Sequence, residues 1–504
     1  MRQTQKILTG IAALLCASPI LMTACANAEK TDALPSVTEK ETKSAVTEAD
    51  TDNPRAAYAA AAPAVEDFGN YAYRMAVLKD NALVFKQVGY WTEEQNGDTL
   101  NDAIYLRNRA VEEAYNIKLS LIELEDTNAV LRKNIQASDD FADIVFPSNI
   151  GELMTLAQQG CFWDLNTVEE LQLKQPWWDQ RIQDSLTVFG QLFCITGDIQ
   201  MRDELREMSV LYNKKVYEEY DYPDPYEFVS NGTWTWEQLS SMVRDVTKDL
   251  DGNGKLDVAD KYGLISENIA GWYLFLASGK DVIRFDGSTY IADIQNQQSY
   301  DIFENLFKLL CDKNAVIIMD DGTHANEITT VDIWTEATKI FSENRALFRT
   351  GTFGDSVDLR DMKTDFGVLP IPKYDESQDG YYCMVHNDSM PLVIPTTVPD
   401  LHKTALITEA LGYESMFTLT PSFYEVFLDE KILRDEQSKA MIDILFDSKV
   451  YSLDYMCTIT GMQTAIANIV STGKSDTLSS KTASIQKSAQ KKLDKYMKKF
   501  EELE

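Results

Sequence analysis

The hydrophobic positions of the chain follow two spacings, one typical of helices and one typical of strands. Residues 102–115 place apolar side chains three and four apart, which predicts an amphipathic helix. Residues 82–88, 116–124 and 142–148 alternate or form short apolar runs, which predicts strands. Strands alternating with helices in this way indicate a parallel α/β lobe that begins near Ala82.

A second series of elements follows in the rest of the chain. Thr235 is a candidate N-cap for one of the helices. Predicted helices cover residues 154–166, 235–250, 299–314, 335–351 and much of the chain from Ser438 on. Predicted strands cover residues 191–197, 366–373 and 390–397. The fold class predicted from these elements is α/β.

The N-terminus has the pattern of a bacterial lipoprotein signal. Arg2 and Lys6 precede an uncharged apolar run over residues 7–22, which is short for a membrane span. Thr23 and Ala24 then precede Cys25, and this run resembles a lipobox. We therefore predict a signal peptide over residues 1–24, a lipid on Cys25, and a mature chain held at the extracellular face of the cell membrane.

An ordinary secretory peptide cut near Ala28 is the alternative, and it also places the mature chain outside the cytoplasm. Residues 26–65 are polar, charged and small, and they contain almost no large apolar residue that could build a core. We predict a disordered linker over residues 25–80 that joins the lipid to the folded body.

Composition narrows the classes of partner. The formal net charge is −33, a field that repels phosphates and argues against nucleic acid. The chain has three histidines in no metal-binding spacing, so a histidine zinc site is not expected. Beyond Cys16 and Cys25, five widely spaced cysteines remain, and we interpret them as buried apolar residues rather than a disulfide framework.

Four phrases, in order, resemble the extracellular solute-binding proteins of ABC importers, the large sugar-binding family 1 type. They are ADIVFPS with LAQQGCFWDLN, VLYNKKVYEEYDYPDP, GTWTWEQLSSMVRDVTKDLDGNGKLDVADKYGL, and SENRALFRTGTF with TDFGVLPIPKYDESQDGYYC. The resemblance implies a two-lobe periplasmic-binding-protein-like fold of type II, with a hinge and a ligand cleft between the lobes. The lobes implied are residues 81–200 with 384–450, and residues 201–383 with 451–504.

The resemblance also implies function and partners. We expect a monomeric, non-enzymatic receptor that captures a solute and delivers it to ABC permease subunits. The first expectation for the solute is an oligosaccharide. A peptide or another small polar solute stays open, because loops set specificity and the fold alone does not. A secreted carbohydrate-active enzyme and a stalked surface adhesion protein are the alternatives, although the chain has no GxSxG, P-loop, GxGxxG or CxxC motif.

Residues 249–260 fit the twelve-residue calcium loop. Oxygen ligands fall at the expected positions, and Gly254 occupies the sharp turn. The predicted ligands are Asp249, Asp251, Asn253, the backbone carbonyl of Lys255, Asp257 and Asp260. Asp260 stands where an EF-hand has Glu, so the last ligand has a shorter reach. We predict a structural Ca²⁺; a metal-free acidic turn is the alternative.

Aromatic residues supply the second chemical signal, with eight Trp and 23 Tyr in the chain. Sugar rings stack their C–H faces on aromatic side chains, while carboxylates accept hydrogen bonds from the hydroxyl groups. The predicted ligand-binding residues lie after predicted strands or near predicted lobe crossings. They are Tyr90, Trp91, Asp198, Trp272 and Tyr382.

Overall fold

A computed structural model describes residues 54–79, 90–427 and 436–503 of the chain. The signal peptide, Cys25 and the strand predicted over residues 82–88 lie outside the described residues. Among the helices described, none is long and apolar enough to cross a membrane. The five cysteines beyond Cys25 are free thiols, and three of them are buried.

The first sheet has three parallel strands in the order β2-β1-β3. They are β1 Tyr71–Leu78, β2 Ile117–Leu124 and β3 Ile144–Val145. The central strand β1 lies inside the segment predicted as linker, so the folded body begins before Ala82, contrary to the prediction. The reason is local: Tyr73, Met75 and Val77 alternate along β1 and are buried, which is the pattern of a strand in a core.

The second sheet has five strands in the order β10-β4-β9-β5-β8. Strands β5, β8 and β9 are parallel, whereas β4 runs antiparallel to β9 and β10. Its strands are β4 Met208–Asn213, β5 Tyr262–Ser266, β8 Val316–Ile318, β9 Ala346–Thr352 and β10 Phe366–Pro370. The strands outside this sheet are β6 Ile283–Phe285, β7 Tyr290–Ala292, β11 Cys383–Met384 and β12 Lys449–Val450. Strands β6 and β7 form a separate hairpin.

Helices cover both sheets, and most begin at a side-chain cap. They are α1 Pro54–Ala57, α2 Thr99–Tyr115, α3 Thr127–Ala137, α4 Ile150–Ala157, α5 Gln180–Leu186, α6 Arg202–Leu205, α7 Lys214–Tyr217, α8 Pro225–Ser230, α9 Trp236–Val243, α10 Ala270–Leu276, α11 Gln297–Leu310, α12 Ile333–Ser342, α13 Leu401–Phe417, α14 Leu419–Pro421, α15 Glu436–Asp447, α16 Leu453–Cys457, α17 Met462–Thr472 and α18 Leu478–Glu501. Thr235 caps α9 as predicted, because its hydroxyl accepts the Gln238 N–H.

The predicted helix over residues 335–351 is wrong in its second half. Helix α12 ends at Ser342, and the chain turns through Asn344, whose φ is 61°. Asn tolerates this left-handed conformation better than most residues, so the turn stops the helix. The following apolar run becomes β9, which pairs with both β4 and β5 inside the second sheet.

Three chain segments pass between the two α/β lobes close to one another. The segment from Ile195 to Glu207 pairs with the returning segment, through bridges to Leu392 and Val385. The third segment contains β12, which lies parallel to β11 of the returning segment. In two-lobe folds the lobes move about adjacent connections of this kind, and we call these three the hinge segments.

Candidate functional site

A cavity of about 500 Å³ opens where β5 and β9 end. The carboxyl ends of parallel strands are the usual place for a ligand in an α/β sheet, because the loops that follow them meet there. Glu267 follows β5 directly, and Gly351 and Thr352 close β9. The start of α12 and the turn after β9 form the walls, while Arg206 and His386 of the hinge segments reach its floor.

An exposed tryptophan stands on the wall formed by α12. Asp332 caps this helix by accepting the Thr335 N–H at 2.8 Å, and so sets Trp334 in the first turn. The Trp334 side chain is 44% exposed. Buried Glu336 holds the preceding loop by accepting the N–H of Thr329 at 2.9 Å. The indole face is therefore presented to solvent by a fixed backbone.

The turn after β9 carries an ion pair that lines the cavity. Asp355 accepts the Thr352 N–H at 2.8 Å and completes a capping box. Its other oxygen lies 3.0 Å from Nη2 of Arg349, a buried residue of β9. A Cβ at Gly351 would overlap the Asp355 carboxylate, so this close approach requires glycine.

Two of the four lining acids, Glu267 and Asp358, are held by no hydrogen bond or ion pair from a described residue, and Glu267 is the partly buried one while Asp358 is exposed. Burial raises the pKa of Glu267 to about 8, and the neighbouring charges of Asp355 and Asp320 add to the effect. The group is therefore poised to exchange a proton near neutral pH.

The cavity floor is an ionic cluster on the hinge. Arg206 pairs with Asp388, and Nδ1 of His386 lies 2.6 Å from the same carboxylate. Burial alone would raise the pKa of Asp388, but the charges of Arg206 and His386 hold it well below its usual range. Because these groups lie on two of the three crossing segments, a ligand on this floor would touch the hinge itself.

None of the five ligand-binding residues predicted from sequence lines this cavity. Tyr90 packs against Phe146 with ring centroids 4.5 Å apart, and Trp91 is 37% exposed on the first lobe. Neither location tests a contact with a ligand, so these two assignments stay predictions.

The other three predicted residues have different surroundings. Trp272 is completely buried in α10, which does not fit a ligand platform. Burial raises the pKa of Asp198 to about 7, and this residue lies beside the hinge rather than in the cavity. The partly exposed Tyr382 donates its hydroxyl to Asp379 at 2.8 Å.

Sequence reasoning missed Glu267, Trp334 and the Arg349–Asp355 pair. A strand signal existed for Glu267, because the largely apolar run YGLIS ends directly before it, and this run is the buried strand β5. For Arg349 and Asp355 the signal was hidden, since the helix predicted over residues 335–351 removed β9 from the pattern. For Trp334 an aromatic in the first turn after a capping Asp was the available signal.

The predicted calcium loop is closed at its base and held by hydrogen bonds within the loop. An antiparallel bridge between Lys248 and Lys261 closes its base. The carboxylate of Asp249 accepts the Gly252 and Gly254 N–H groups at 2.7 and 2.8 Å, and these bonds help to lower the pKa of Asp249. Carboxylate oxygens of Asp249, Asp251 and Asp260 lie within 4.8 Å of one another. Ca²⁺ holds its oxygen ligands at 2.3–2.6 Å, so oxygens up to about 5 Å apart can share one ion.

No protein-family model and no curated protein matches the chain. Among solved structures, the maltose/maltodextrin-binding domain MalE from Bdellovibrio bacteriovorus, bound to maltotriose, is similar with a TM-score of 0.51 at 13% identity. That match covers 84% of this chain and 100% of the other. An ABC substrate-binding protein from Listeria monocytogenes in complex with cycloalternan has a TM-score of 0.51 at 11% identity, covering 83% and 99% of the two chains.

These similarities confirm the predicted fold class. The chain has the two-lobe α/β fold of periplasmic-binding-protein-like domains.

Proposed function

We propose that the chain is the substrate-binding protein of an ABC importer and captures an oligosaccharide between its lobes without transforming it. The observation that carries this proposal is the cavity at the ends of β5 and β9, where the exposed face of Trp334 stands beside carboxylates and arginines. An aromatic face with hydrogen-bonding groups around it matches a sugar, which has apolar C–H faces and hydroxyl edges. The sugars bound by the two similar structures support this ligand class.

A carbohydrate-active enzyme is the weaker candidate for the same cavity. Glycoside hydrolysis needs two carboxyl groups free to act as acid, base or nucleophile. Asp355 is paired with Arg349, and Asp332 caps α12. Among the lining acids, only Glu267 and the exposed Asp358 are therefore not already held by a described residue. Prolonged incubation with a bound oligosaccharide, followed by chromatography, distinguishes the two: release of shorter sugars would establish an enzyme.

Replacing Trp334 with Ala is expected to weaken sugar binding about tenfold, equivalent to ~1.4 kcal/mol. The substitution removes a stacking face that is already exposed, so the melting temperature should stay within a degree or two of the parent's. Calorimetry with maltotriose and cycloalternan, and then with a wider oligosaccharide panel, measures the effect.

Phe285→Ala is the matched control for Trp334→Ala, because Phe285 is an exposed aromatic that does not line this cavity. Equal losses of affinity in the two variants would contradict the assignment of the site. If no oligosaccharide in the panel binds the parent protein, the sugar-receptor proposal itself fails.

We infer that Cys25 carries a lipid that anchors the receptor beside ABC permease subunits at the extracellular face of the membrane. The lipobox-like run before Cys25 supports this proposal. In cells, Cys25→Ser is expected to move the protein from the membrane fraction to the medium. Retention in the membrane after a high-salt wash would contradict a covalent anchor at this residue.

We also propose a structural Ca²⁺ in the loop of residues 249–260, with ligands from Asp249, Asp251, Asn253, the carbonyl of Lys255, Asp257 and Asp260. The mutual approach of three carboxylates and the closed loop base support it. When bound, the ion would cross-link the loop that leads into β5, the strand that Glu267 directly follows.

Adding Ca²⁺ to metal-free protein is expected to raise the free energy of unfolding, by about 2.7 kcal/mol when the ion is at 100 times its Kd. Asp251→Ala should abolish the response, which thermal melts with and without chelator measure. Asp286→Ala is the control, since Asp286 forms a similar turn by accepting the Ser288 N–H at 2.9 Å but belongs to no acidic group of this kind. Identical melts in Ca²⁺ and chelator would exclude the ion.

A further inference from the structure

The charges that line the cavity are unevenly matched. Four lining acids face two arginines, a formal sum of −2 when every acid is ionised and His386 is left out of the count. Both arginines are engaged: Arg349 lies 3.0 Å from Asp355, and Arg206 pairs with Asp388. The positive groups are therefore held by the protein's own carboxylates, and an acidic ligand would have to displace them.

Glu267 is placed differently from the other acids of the cavity: Asp358 is exposed to solvent, whereas Glu267 is partly buried. Asp355 has an arginine partner, and Asp332 caps α12 by accepting the Thr335 N–H at 2.8 Å. Asp320, close behind the cavity, accepts the Asn268 N–H at 2.7 Å. Glu267 has no hydrogen bond from any described residue, although it lines the cavity at the end of β5. A partly buried carboxyl without a partner costs free energy unless a ligand or a proton satisfies it.

We propose that this cavity selects sugars that carry a positively charged amine, and that Glu267 is the group that receives the ammonium. The inference rests on the proposed function, since it names the substrate class of the same site. An ammonium supplies three hydrogen-bond donors and a positive charge, which together satisfy a carboxylate that has neither. Trp334, on the adjacent wall, favours the same ligand because its ring face attracts cations as well as C–H groups.

Binding of this kind moves a proton. Without ligand, burial and the nearby charges of Asp355 and Asp320 favour the neutral acid form of Glu267; the charges of Arg349 and Arg206 oppose them, and the pKa is raised to about 8. An arriving ammonium favours the carboxylate instead, so the acid proton passes from Glu267 to solvent and a carboxylate–ammonium pair forms. The charge at Glu267 balances, because one ammonium group arrives and one proton leaves.

Three disaccharides with the same β-1,4 skeleton test the proposal: the diamine of two glucosamine units, its di-N-acetyl form, and cellobiose. Titration calorimetry at about pH 6, where an amine of pKa near 8 stays charged, should show the diamine binding at least tenfold more tightly than the neutral forms. Repeating the titration in two buffers of different ionisation enthalpy should show release of close to one proton per diamine bound.

Glu267→Gln keeps the shape of the side chain and removes its charge. This variant is expected to bind the three disaccharides equally, within about threefold, and to release no proton. Glu304→Gln, an exposed acid on α11, controls for the general negative field of the protein and should keep the preference. The parent's preference and proton release test the proposal even if Glu267→Gln folds poorly.

The outcomes separate the two proposals. If cellobiose or the acetylated sugar binds the parent as well as the diamine does, amine selection is wrong and the sugar-receptor function stands. A preference for the diamine that survives in Glu267→Gln overturns the role of Glu267. If the diamine does not bind, the inference fails; if, in addition, no neutral oligosaccharide binds, the proposed function fails with it.

Discussion

Replacing Lys449 with Met is expected to lower the free energy of unfolding by about 3–5 kcal/mol. Lys449 lies on β12, and its Nζ donates hydrogen bonds to Asp203 and Glu204, both at 2.9 Å. A third carboxylate, that of Asp179, lies 3.6 Å away, and all four side chains are nearly inaccessible to solvent. Removing the one cation would leave three buried acids without their shared partner.

The size of the effect follows from burial rather than from the number of ion pairs. Exposed pairs contribute about 0–1 kcal/mol because water screens them and already solvates each charge. In the Lys449 cluster, burial alone would lower the pKa of Lys449, but the charges of Asp203, Glu204 and Asp179 raise it well above the usual value. Its stabilising contribution is therefore present at neutral pH and is lost only as pH rises through that raised pKa, above about 10.5.

Chemical denaturation of the parent and Lys449→Met proteins measures this change. Lys79→Met is the control, because the Lys79–Glu125 pair has a similar distance, 2.8 Å, but both side chains are exposed. We expect the control to lose at most about 1 kcal/mol. Equal effects of the two substitutions would mean that the Lys449 cluster is solvated and contributes little.

The Lys449 cluster also connects stability to function. Asp203 and Glu204 lie in α6 on the first crossing segment, and Lys449 lies on the third. The ion pairs therefore join two of the three connections between the lobes at one point. A substitution there should alter how the lobes move relative to each other, in addition to lowering the free energy of unfolding.

Local sequence patterns are sufficient to predict an element when its apolar periodicity and its ends are encoded within a few neighbouring residues. The helix predicted over residues 102–115 is α2, Thr99–Tyr115, and the strand predicted over 116–124 is β2, Ile117–Leu124. In both elements, the spacing of the apolar residues indicates which face is buried. The turn that separates the two elements is set by a residue between them. The Asn116 turn between them has φ of 50°, a conformation that Asn adopts more readily than most residues.

The candidate site could not be predicted in the same way, because its parts are distant in sequence. Arg206, Glu267, Trp334 and Asp355 meet only after β4, β5 and β9 take their order in the second sheet. One wrong element was enough to hide the site, since β9 was assigned to a helix. The position of a single aromatic residue in the sequence does not show whether its side chain faces a cavity or the core. Trp272, which was predicted to bind ligand, is buried in the core.

Replacing Trp272 with Ala is expected to cost about 3–5 kcal/mol of stability, in contrast to the binding effect expected for Trp334→Ala. The Trp272 side chain is 0% exposed and packs against Phe275, with ring centroids 5.9 Å apart. Helix α10, with the sequence AGWYLFL, is apolar on every side and is buried throughout. Truncation would leave a cavity that the rigid surroundings cannot close.

Trp272→Phe separates loss of volume from loss of the indole N–H. The Trp272 Nε1 is buried and donates to no described residue, so Phe forfeits no hydrogen bond in that part of the chain. We therefore expect Trp272→Phe to retain most of the stability, while the folded fraction of both variants binds sugar with the parent's Kd. Denaturation and calorimetry on the same samples decide the point. A large loss of affinity in Trp272→Phe at unchanged stability would restore the ligand-binding role predicted from sequence, because packing in a buried helix cannot produce that combination.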